Sequence, residues 1–207
     1  MPNSNKPFGL RPVKSRSGAD WDGRGNVYSI PTSDTTNSYY IGDLVRLAGS
    51  ADANGIASVV KYAAGDSATP GLEPVGVILG IGINPNGPYI NPADLTLMNA
   101  PATKAQAYYA LVCDDPDVIF EVQEANSGTA LAAAAVGLNA DLTITANQTT
   151  GRVSSTVLNN GTEAATITLT VKLLGLTQVP GNAFGLAARW LVSLNAHAYG
   201  RPGTTGV

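Results

Sequence analysis

The stretch from residue 166 to residue 176 alternates between aliphatic and polar side chains, and this alternation constrains the fold more than any other feature. The aliphatic positions share one parity and are Ile167, Leu169, Val171 and Leu173. A period of two residues matches the pleat of a β-strand with one buried face, whereas a helix would scatter these side chains around its axis. A buried face needs a second layer, and the rest of the chain predicts that further strands supply it.

Short segments of branched and aromatic residues recur along the chain between clusters of turn-forming residues. They predict about eight to ten strands and no long amphipathic helix. The predicted strands are 26–30, 43–48, 57–63, 74–83, 108–113, 118–123, 138–145, 151–158, 164–176 and 188–195. This pattern is typical of a mainly β fold, an antiparallel jelly-roll-like β-sandwich with long loops. Glycines in 74–83 predict a close approach by another backbone, and the acidic linker 114–117 predicts a hairpin between the strands that flank it.

The sequence divides into an extended N-terminal arm at 1–26, a jelly-roll-like β domain at 27–196 and a C-terminal tail at 197–207. The arm has a net charge of +3, and its prolines, glycines and serines disfavour both helix and sheet. A frayed terminus is the alternative, but spaced apolar side chains favour docking onto a partner. The candidate contact residues are the apolar anchors Phe8, Leu10 and Trp21 and the cations Arg11, Lys14 and Arg16.

Composition narrows the classes of function. Charged residues make up 13% of the chain and the net charge is −3, so a basic face for nucleic acid is not expected. Cys113 is the single cysteine, which excludes an internal disulfide and a cysteine-built zinc site. No apolar run follows the first residues, so no secretory signal is expected, and the longest apolar stretch, 75–83, is too short to cross a bilayer. The sequence therefore predicts a protein made in a cytoplasm that contacts neither nucleic acid nor membrane directly.

An acidic run surrounds the predicted hairpin and consists of Asp114, Asp115, Asp117, Glu121 and Glu124. Clustered carboxylates can hold a hard cation such as calcium, but the glycine and regular spacing of an EF-hand loop are missing. Turn chemistry explains the aspartates well, and solvated strand positions explain the glutamates. A third interpretation is that the acidic run forms a surface complementary to a basic patch on a partner. We expect no metal site and no cofactor.

His197 is the only histidine, and a Ser-His-Asp or Cys-His constellation would have to use it. No serine lies in a nucleophile-elbow pattern, and His197 falls in the predicted tail, which we expect to be mobile. Cys113 lies in a predicted strand and is interpreted as a small core residue. The sequence therefore predicts no catalytic residue and no enzyme.

Several segments taken together resemble the head decoration, or cement, proteins of tailed bacteriophages. They are 7–13 (PFGLRPV), 41–43 (IGD), 48–55 (AGSADANG), 75–77 (VGV), 113–117 (CDDPD), 120–124 (FEVQE), 136–139 (VGLN) and 190–197. The resemblance implies a jelly-roll-like β domain on the outer surface of the virion that bridges and stabilises subunits of the major capsid protein. It also implies assembly in the host cytoplasm and a homodimer or homotrimer. We expect the arm to become ordered when it binds the capsid.

Two other classes of protein stay open at this point. A carbohydrate-binding module on the virion surface is the first, because jelly rolls often bind sugars and tyrosine rings can stack on them. The tyrosines available for stacking are Tyr39, Tyr40, Tyr62, Tyr89, Tyr108 and Tyr109. A hydrolase is the second, and its activity would have to depend on His197 or on a pair of aspartates.

Overall fold

The computed structural model describes residues 3–84, 99–148, 151–200 and 202–206. In these residues the chain is built of strands, with two short 3-10 turns at Asp66–Ala68 and Ala133–Ala135. The strands are β1 (Leu10–Ser15), β2 (Asn26–Ile30), β3 (Tyr39–Tyr40), β4 (Leu44–Ala51), β5 (Ala57–Lys61), β6 (Pro74–Gly82), β7 (Asn99–Ala100), β8 (Tyr108–Cys113), β9 (Val118–Gln123), β10 (Asn139–Ala140), β11 (Leu142–Thr143), β12 (Val157–Leu158), β13 (Val171–Leu176) and β14 (Arg189–Leu194). Neither described helical turn has the length and apolar character needed to cross a membrane.

Five strands close into a barrel in the order β2-β5-β4-β6-β8. Its pairs are antiparallel except where β2 meets β5, at Ser29 and Ser58. The hydroxyls of these two serines lie 2.7 Å apart and bond each other. Apolar side chains such as Tyr28, Val45 and Ile78 fill the interior. Closure leaves the barrel strands without a free edge for pairing.

An open sheet with the strand order β1-β9-β14-β13-β10 packs on the outside of the barrel. Its inner face presents fully buried side chains, including Phe120 and Trp190. They share a core with Leu44, Val77 and Cys113, which the barrel strands contribute from their outer side. Because β6 has packed neighbours on both sides, its apolar run is nearly continuous and does not alternate. Two short pairs, β3 with β7 and β11 with β12, complete the described strands.

The prediction of a mainly β, antiparallel fold is confirmed. The jelly-roll arrangement is not confirmed, because one of the two layers is a closed barrel. The predicted strands at 26–30, 43–48, 57–63, 74–83, 108–113, 118–123 and 188–195 all appear, whereas 138–145 and 151–158 contain only the two-residue strands β10, β11 and β12. The close approach at 74–83 is confirmed too, since a Cβ on Gly76 would lie 2.1 Å from the carbonyl oxygen of Cys113.

The alternating stretch 166–176 forms a strand only in its second half. β13 begins at Val171, and Ile167, which was expected in the core, is 47% exposed. The side chain of Asn195 explains the difference, because its amide donates to the carbonyls of Ile167 and Leu169 at 2.8 and 3.1 Å. With these carbonyls satisfied by a side chain, the backbone can turn there instead of extending a ladder.

The predicted hairpin between 108–113 and 118–123 is wrong. Both strands exist, but β8 pairs with β2 and β6 in the barrel, while β9 pairs with β1 and β14 in the sheet. The acidic linker between them carries the chain from one layer to the other. Its turn chemistry is present, since Asp115 accepts a hydrogen bond from the N–H of Asp117 at 2.8 Å. Turn residues predict a change of direction but do not say which strands pair.

The N-terminal segment contributes a strand to the sheet, although its prolines, glycines and serines were expected to disfavour sheet; the expectation is wrong for residues 10–15. β1 pairs with β9 at the sheet edge, with Leu10 opposite Val122. Pro12 fits because an edge strand can dispense with an N–H, and the register shift beside it leaves Val13 in a bulge. Leu10 is 2% exposed and belongs to the core.

The C-terminal segment also packs on the sheet. His197 is 3% exposed, and its Nδ1 accepts a hydrogen bond from the N–H of Tyr199 at 3.1 Å. Further along, Thr204 donates its N–H to Oδ1 of Asn195 at 3.0 Å. His197 is therefore a buried side chain, contrary to the expectation that it lies in a mobile tail.

Candidate binding surface

The first described residues lie against the loop between β13 and β14. The side chain of Asn3 accepts from the N–H of Ala183 at 3.1 Å and donates to the carbonyl of Gly185 at 3.3 Å. The N–H of Lys6 donates to Oε1 of Gln123 at 2.7 Å, and Gln123 is 1% exposed. The segment that precedes β1 is thus attached to the sheet by hydrogen bonds within the same chain.

The chain then passes the barrel at a contact between two glycines. A Cβ on Gly9 would lie 2.3 Å from the carbonyl oxygen of Gly42, and a Cβ on Gly42 would lie 2.4 Å from that of Phe8. The φ angles of the two glycines are +72° and +91°, so neither position suits another residue. Leu10 donates its N–H to the same Gly42 oxygen at 2.9 Å. The first two segments of the phage resemblance are therefore in direct backbone contact.

Two guanidinium groups lie over the ring of Phe8. Cζ of Arg11 is 5.2 Å from the ring centroid and Cζ of Arg189 is 5.8 Å from it, both within cation–π distance. Arg11 also forms an ion pair with Glu121, whose side chain is 1% exposed. Within the described residues the guanidinium of Arg189 has no hydrogen-bond or ion-pair partner. The charge of Arg11 is therefore neutralised by a carboxylate, whereas no described carboxylate neutralises the charge of Arg189.

Two apolar side chains of the β13–β14 loop are exposed, and this loop bonds Asn3, which lines the same recess as Arg189. Phe184 is 49% exposed and Val179 is 39% exposed. The ring of Phe184 contacts buried Trp190, with centroids 5.7 Å apart, which holds the exposed ring in place. Val179 and Arg189 line a surface recess of about 210 Å³. We call the following five residues the Phe8 surface: Phe8, Arg11, Val179, Phe184 and Arg189.

The two parts of the chain that build the Phe8 surface carry cations only. Residues 3–19 and 164–200 contain six lysines and arginines and no aspartate or glutamate, and all 15 acidic residues lie within 20–163. These two parts supply β1, β13 and β14 of the open sheet. In a chain with a net charge of −3, folding therefore collects positive charge on the sheet. Such a charge distribution attracts acidic partners.

The structure separates the six residues predicted from the sequence as contacts. Phe8 and Arg11 lie together in the Phe8 surface. Leu10 is in the core, and Trp21 is half-buried against the same core. Lys14 and Arg16 are partly or fully exposed, at or beyond the opposite end of β1 from Phe8.

Sequence reasoning missed Phe184 and Arg189. A phenylalanine within the turn-forming loop 180–185 was one available signal, since apolar side chains in such loops often have no core to enter. The absence of any acid after Glu163 was another. Alternation in β14 places Arg189 on the face opposite Trp190, but only the structure puts Phe8 beside it.

The acidic run does not form a single site. Asp114 accepts from the hydroxyl of Tyr28 at 2.6 Å. Glu124 is fully buried and accepts from the indole N–H of Trp190 at 2.9 Å, while Glu121 pairs with Arg11. The two glutamates are buried, so their interpretation as solvated strand positions is wrong. In the described ranges no group of three or more potential metal ligands converges.

The tyrosines considered for sugar stacking are largely internal. Five of them are between 0% and 8% exposed, namely Tyr39, Tyr40, Tyr62, Tyr108 and Tyr109. Rings packed in a core cannot present a face to a ligand. Tyr89 lies outside the described residues.

The thiol and imidazole groups also face inward. Cys113 is 1% exposed and its interpretation as a core residue is confirmed. Burial raises the pKa of its thiol to about 12, which suppresses the reactive thiolate. His197 lines a shallow recess with Ser67, but the hydroxyl of Ser67 donates to the carbonyl of Thr168 and not to the imidazole.

Comparison of the chain with protein-family models, with curated proteins and with solved structures finds no match.

Proposed function

We propose that this chain is a structural virion protein, a decoration or cement protein that binds the outside of a bacteriophage head. It bridges subunits of the major capsid protein, acts by adhesion alone and needs no cofactor. The Phe8 surface is the observation that supports the proposal. It brings together half-buried Phe8, exposed Phe184 and two arginines, and aromatic residues and arginine are enriched in protein interfaces.

The Phe8 surface is held in place before any partner arrives. Asn3 attaches the segment before β1 to the β13–β14 loop, and the ring of Phe184 contacts buried Trp190. Ordering a flexible segment costs binding free energy, and a preformed surface avoids much of that cost. We therefore replace the expectation of an arm that orders on the capsid with a patch that docks as it stands.

Bridging requires more than one contact, so the proposal includes a homodimer or homotrimer. A single contact of roughly 1,000 Å² can be weak by itself. When one subunit of an oligomer is bound, the next binds at high effective concentration, and the overall hold rises steeply. Native mass spectrometry of the purified protein measures the oligomer order.

Binding to heads tests the proposal directly. Purified heads that lack this protein, from the virus that encodes it, are mixed with the wild-type chain and sedimented. We expect saturable binding, and we expect Phe184→Ala to weaken it. Ile167→Ala is the matched control, because Ile167 is similarly exposed at 47% but lies before β13, at the opposite end of that strand from the Phe184 loop.

Two results would refute the proposal. One is a wild-type chain that does not sediment with heads at micromolar concentration. The other is the absence of the protein from mature particles when they are imaged and analysed by mass spectrometry. Equal loss of binding in Phe184→Ala and Ile167→Ala would leave head binding intact as a function but remove the Phe8 surface as its site.

A further inference from the structure

The backbone of Arg189 is held by hydrogen bonds, and its guanidinium lies over an aromatic ring. Its N–H donates to Oδ1 of Asn182 at 2.8 Å, and its carbonyl accepts from the amide of Asn182 at 2.9 Å. Across the ladder it pairs with Gln123 of β9. The guanidinium lies over Phe8. The ring of Phe8 restricts the positions open to the guanidinium, which reduces the conformational freedom that it loses when it binds a ligand.

Arg189 differs from three other arginines of the chain because no described carboxylate compensates its charge. Arg11, Arg24 and Arg46 each pair with a carboxylate of the same chain. Arg189 has no such partner among the described residues. The second cation over the ring of Phe8 is Arg11, whose charge Glu121 already offsets. The N–H groups of Arg189 are therefore available to an acceptor from outside.

The recess beside Arg189 combines apolar walls with the charged side chain of Arg189. Its walls include the apolar residues Val179, Pro180 and Ala187. Its two asparagines, Asn3 and Asn182, use their amides in hydrogen bonds to the loop itself. Arg189 is the charged residue that lines it. An aspartate or glutamate would place its methylene groups on the apolar wall and its carboxylate on the guanidinium.

We infer that Arg189 receives a carboxylate from the capsid subunit, in a two-pronged ion pair beside Phe8. The inference rests on the proposed function and names the chemistry of its partner. A guanidinium offers two parallel N–H groups to a carboxylate, which gives both strength and orientation. The cation-only segments 3–19 and 164–200 favour the same acidic partner over a basic or neutral one.

Three variants test the inference in the head-binding assay. Arg189→Ala removes the ion pair, and we expect the dissociation constant to rise about tenfold or more. Arg189→Lys keeps the charge but not the planar fork, so it should recover only part of that loss. Arg152→Ala is the matched control, because Arg152 is exposed and lies outside the Phe8 surface. Arg11 is unsuitable for this purpose, since its removal would leave Glu121 buried without a cation. Circular dichroism and thermal unfolding confirm that each variant is folded.

Each outcome has a definite meaning. If Arg189→Ala binds heads more weakly than wild type and its binding depends less on salt concentration, the inference is supported. If the wild-type chain binds heads and neither Arg189→Ala nor Arg152→Ala changes that binding, the inference is wrong and the proposed function still stands. No wild-type binding refutes the proposed function, and the capsid carboxylate with it. If Arg189→Ala instead dissociates an oligomer in the absence of heads, the carboxylate belongs to a second copy and the capsid assignment is wrong.

Discussion

The carboxylate of Asp43 and the ammonium of Lys61 form an ion pair of 2.7 Å inside the protein, where their side chains are 1% and 3% exposed. Asp43 also accepts from the hydroxyl of Ser154 and from the N–H of Tyr40, and Lys61 donates to the carbonyl of Thr145. The pair therefore connects the barrel to a part of the chain that has little regular structure.

Removal of one partner of this pair should destabilise the protein strongly. In Lys61→Met the carboxylate of Asp43 stays buried without its cation, and such a loss typically costs about 3–5 kcal/mol. Urea unfolding at neutral pH measures the change. Arg24→Ala is the control, because its ion pair with Asp22 is exposed, at 89% and 53%, and should be worth about 0–1 kcal/mol. A Lys61→Met variant that loses no more than Arg24→Ala would contradict the expectation.

Leu10 should contribute to global stability although it lies close to the chain start. It is 2% exposed in the core between the two layers, and truncation of a buried leucine to alanine costs about 2–5 kcal/mol. Chemical denaturation of Leu10→Ala measures the effect, with Val13→Ala as the exposed control from the same strand. If both variants unfold at the wild-type denaturant concentration, β1 is not part of the cooperative unit.

Asp34 should give the fold part of its resistance to acid. Burial alone would raise the pKa of Asp34, but hydrogen bonds from the hydroxyl of Tyr39, from Asn37 and from Thr36 outweigh it and lower the pKa. Since the unfolded chain then binds the proton more readily, the stabilisation is complete above the unfolded pKa of about 3.9 and is lost as the pH falls through the folded pKa.

The comparison of wild type with Asp34→Asn isolates this effect. Above about pH 5 we expect wild type to exceed the variant in unfolding free energy by a constant amount, and at lower pH the difference should shrink. Denaturant titrations across this range provide the measurement. A difference that stays the same down to acid pH would show that the ionised carboxylate contributes nothing.

Cys113 should resist labelling in the folded protein. Its thiol is 1% exposed, and burial raises its pKa to about 12, so almost no thiolate exists near neutral pH. A thiol reagent such as dithionitrobenzoate should react with one thiol per chain in denaturant and with almost none in buffer. Rapid reaction in buffer would mean that the contact between barrel and sheet opens readily.

The sequence predicts where the strands of this protein lie better than it predicts which strands pair with each other. Alternation in 188–195 identified β14, with Trp190, Val192 and Leu194 all buried, because the period of a strand is a local property. The partners of β8 and β9 depend on contacts far along the chain, so turn chemistry at 114–117 could not assign them. The same limit hid the burial of Leu10, since nothing near it in sequence reveals the layer that covers it.

The residues of the candidate site also differ in how far the sequence could reveal them. Phe8 and Arg11 stood out because they lie in a segment with an unusual charge. Arg189 is 181 positions from Phe8, and only the neighbouring positions of β1, β9 and β14 in one sheet bring the two together. Residues that complete a site from a distant strand leave no local pattern to find.

The pairing of β1 with β9 has a mechanical consequence. The two strands run antiparallel over six and six residues, and residues 3–9 continue from one end of β1. A tensile load applied at that end along the strand direction would act on all the ladder hydrogen bonds at once, in shear, instead of peeling them one by one. Strands loaded in shear separate more slowly than strands whose hydrogen bonds break one at a time, so this end of the chain is built to resist a pull along β1.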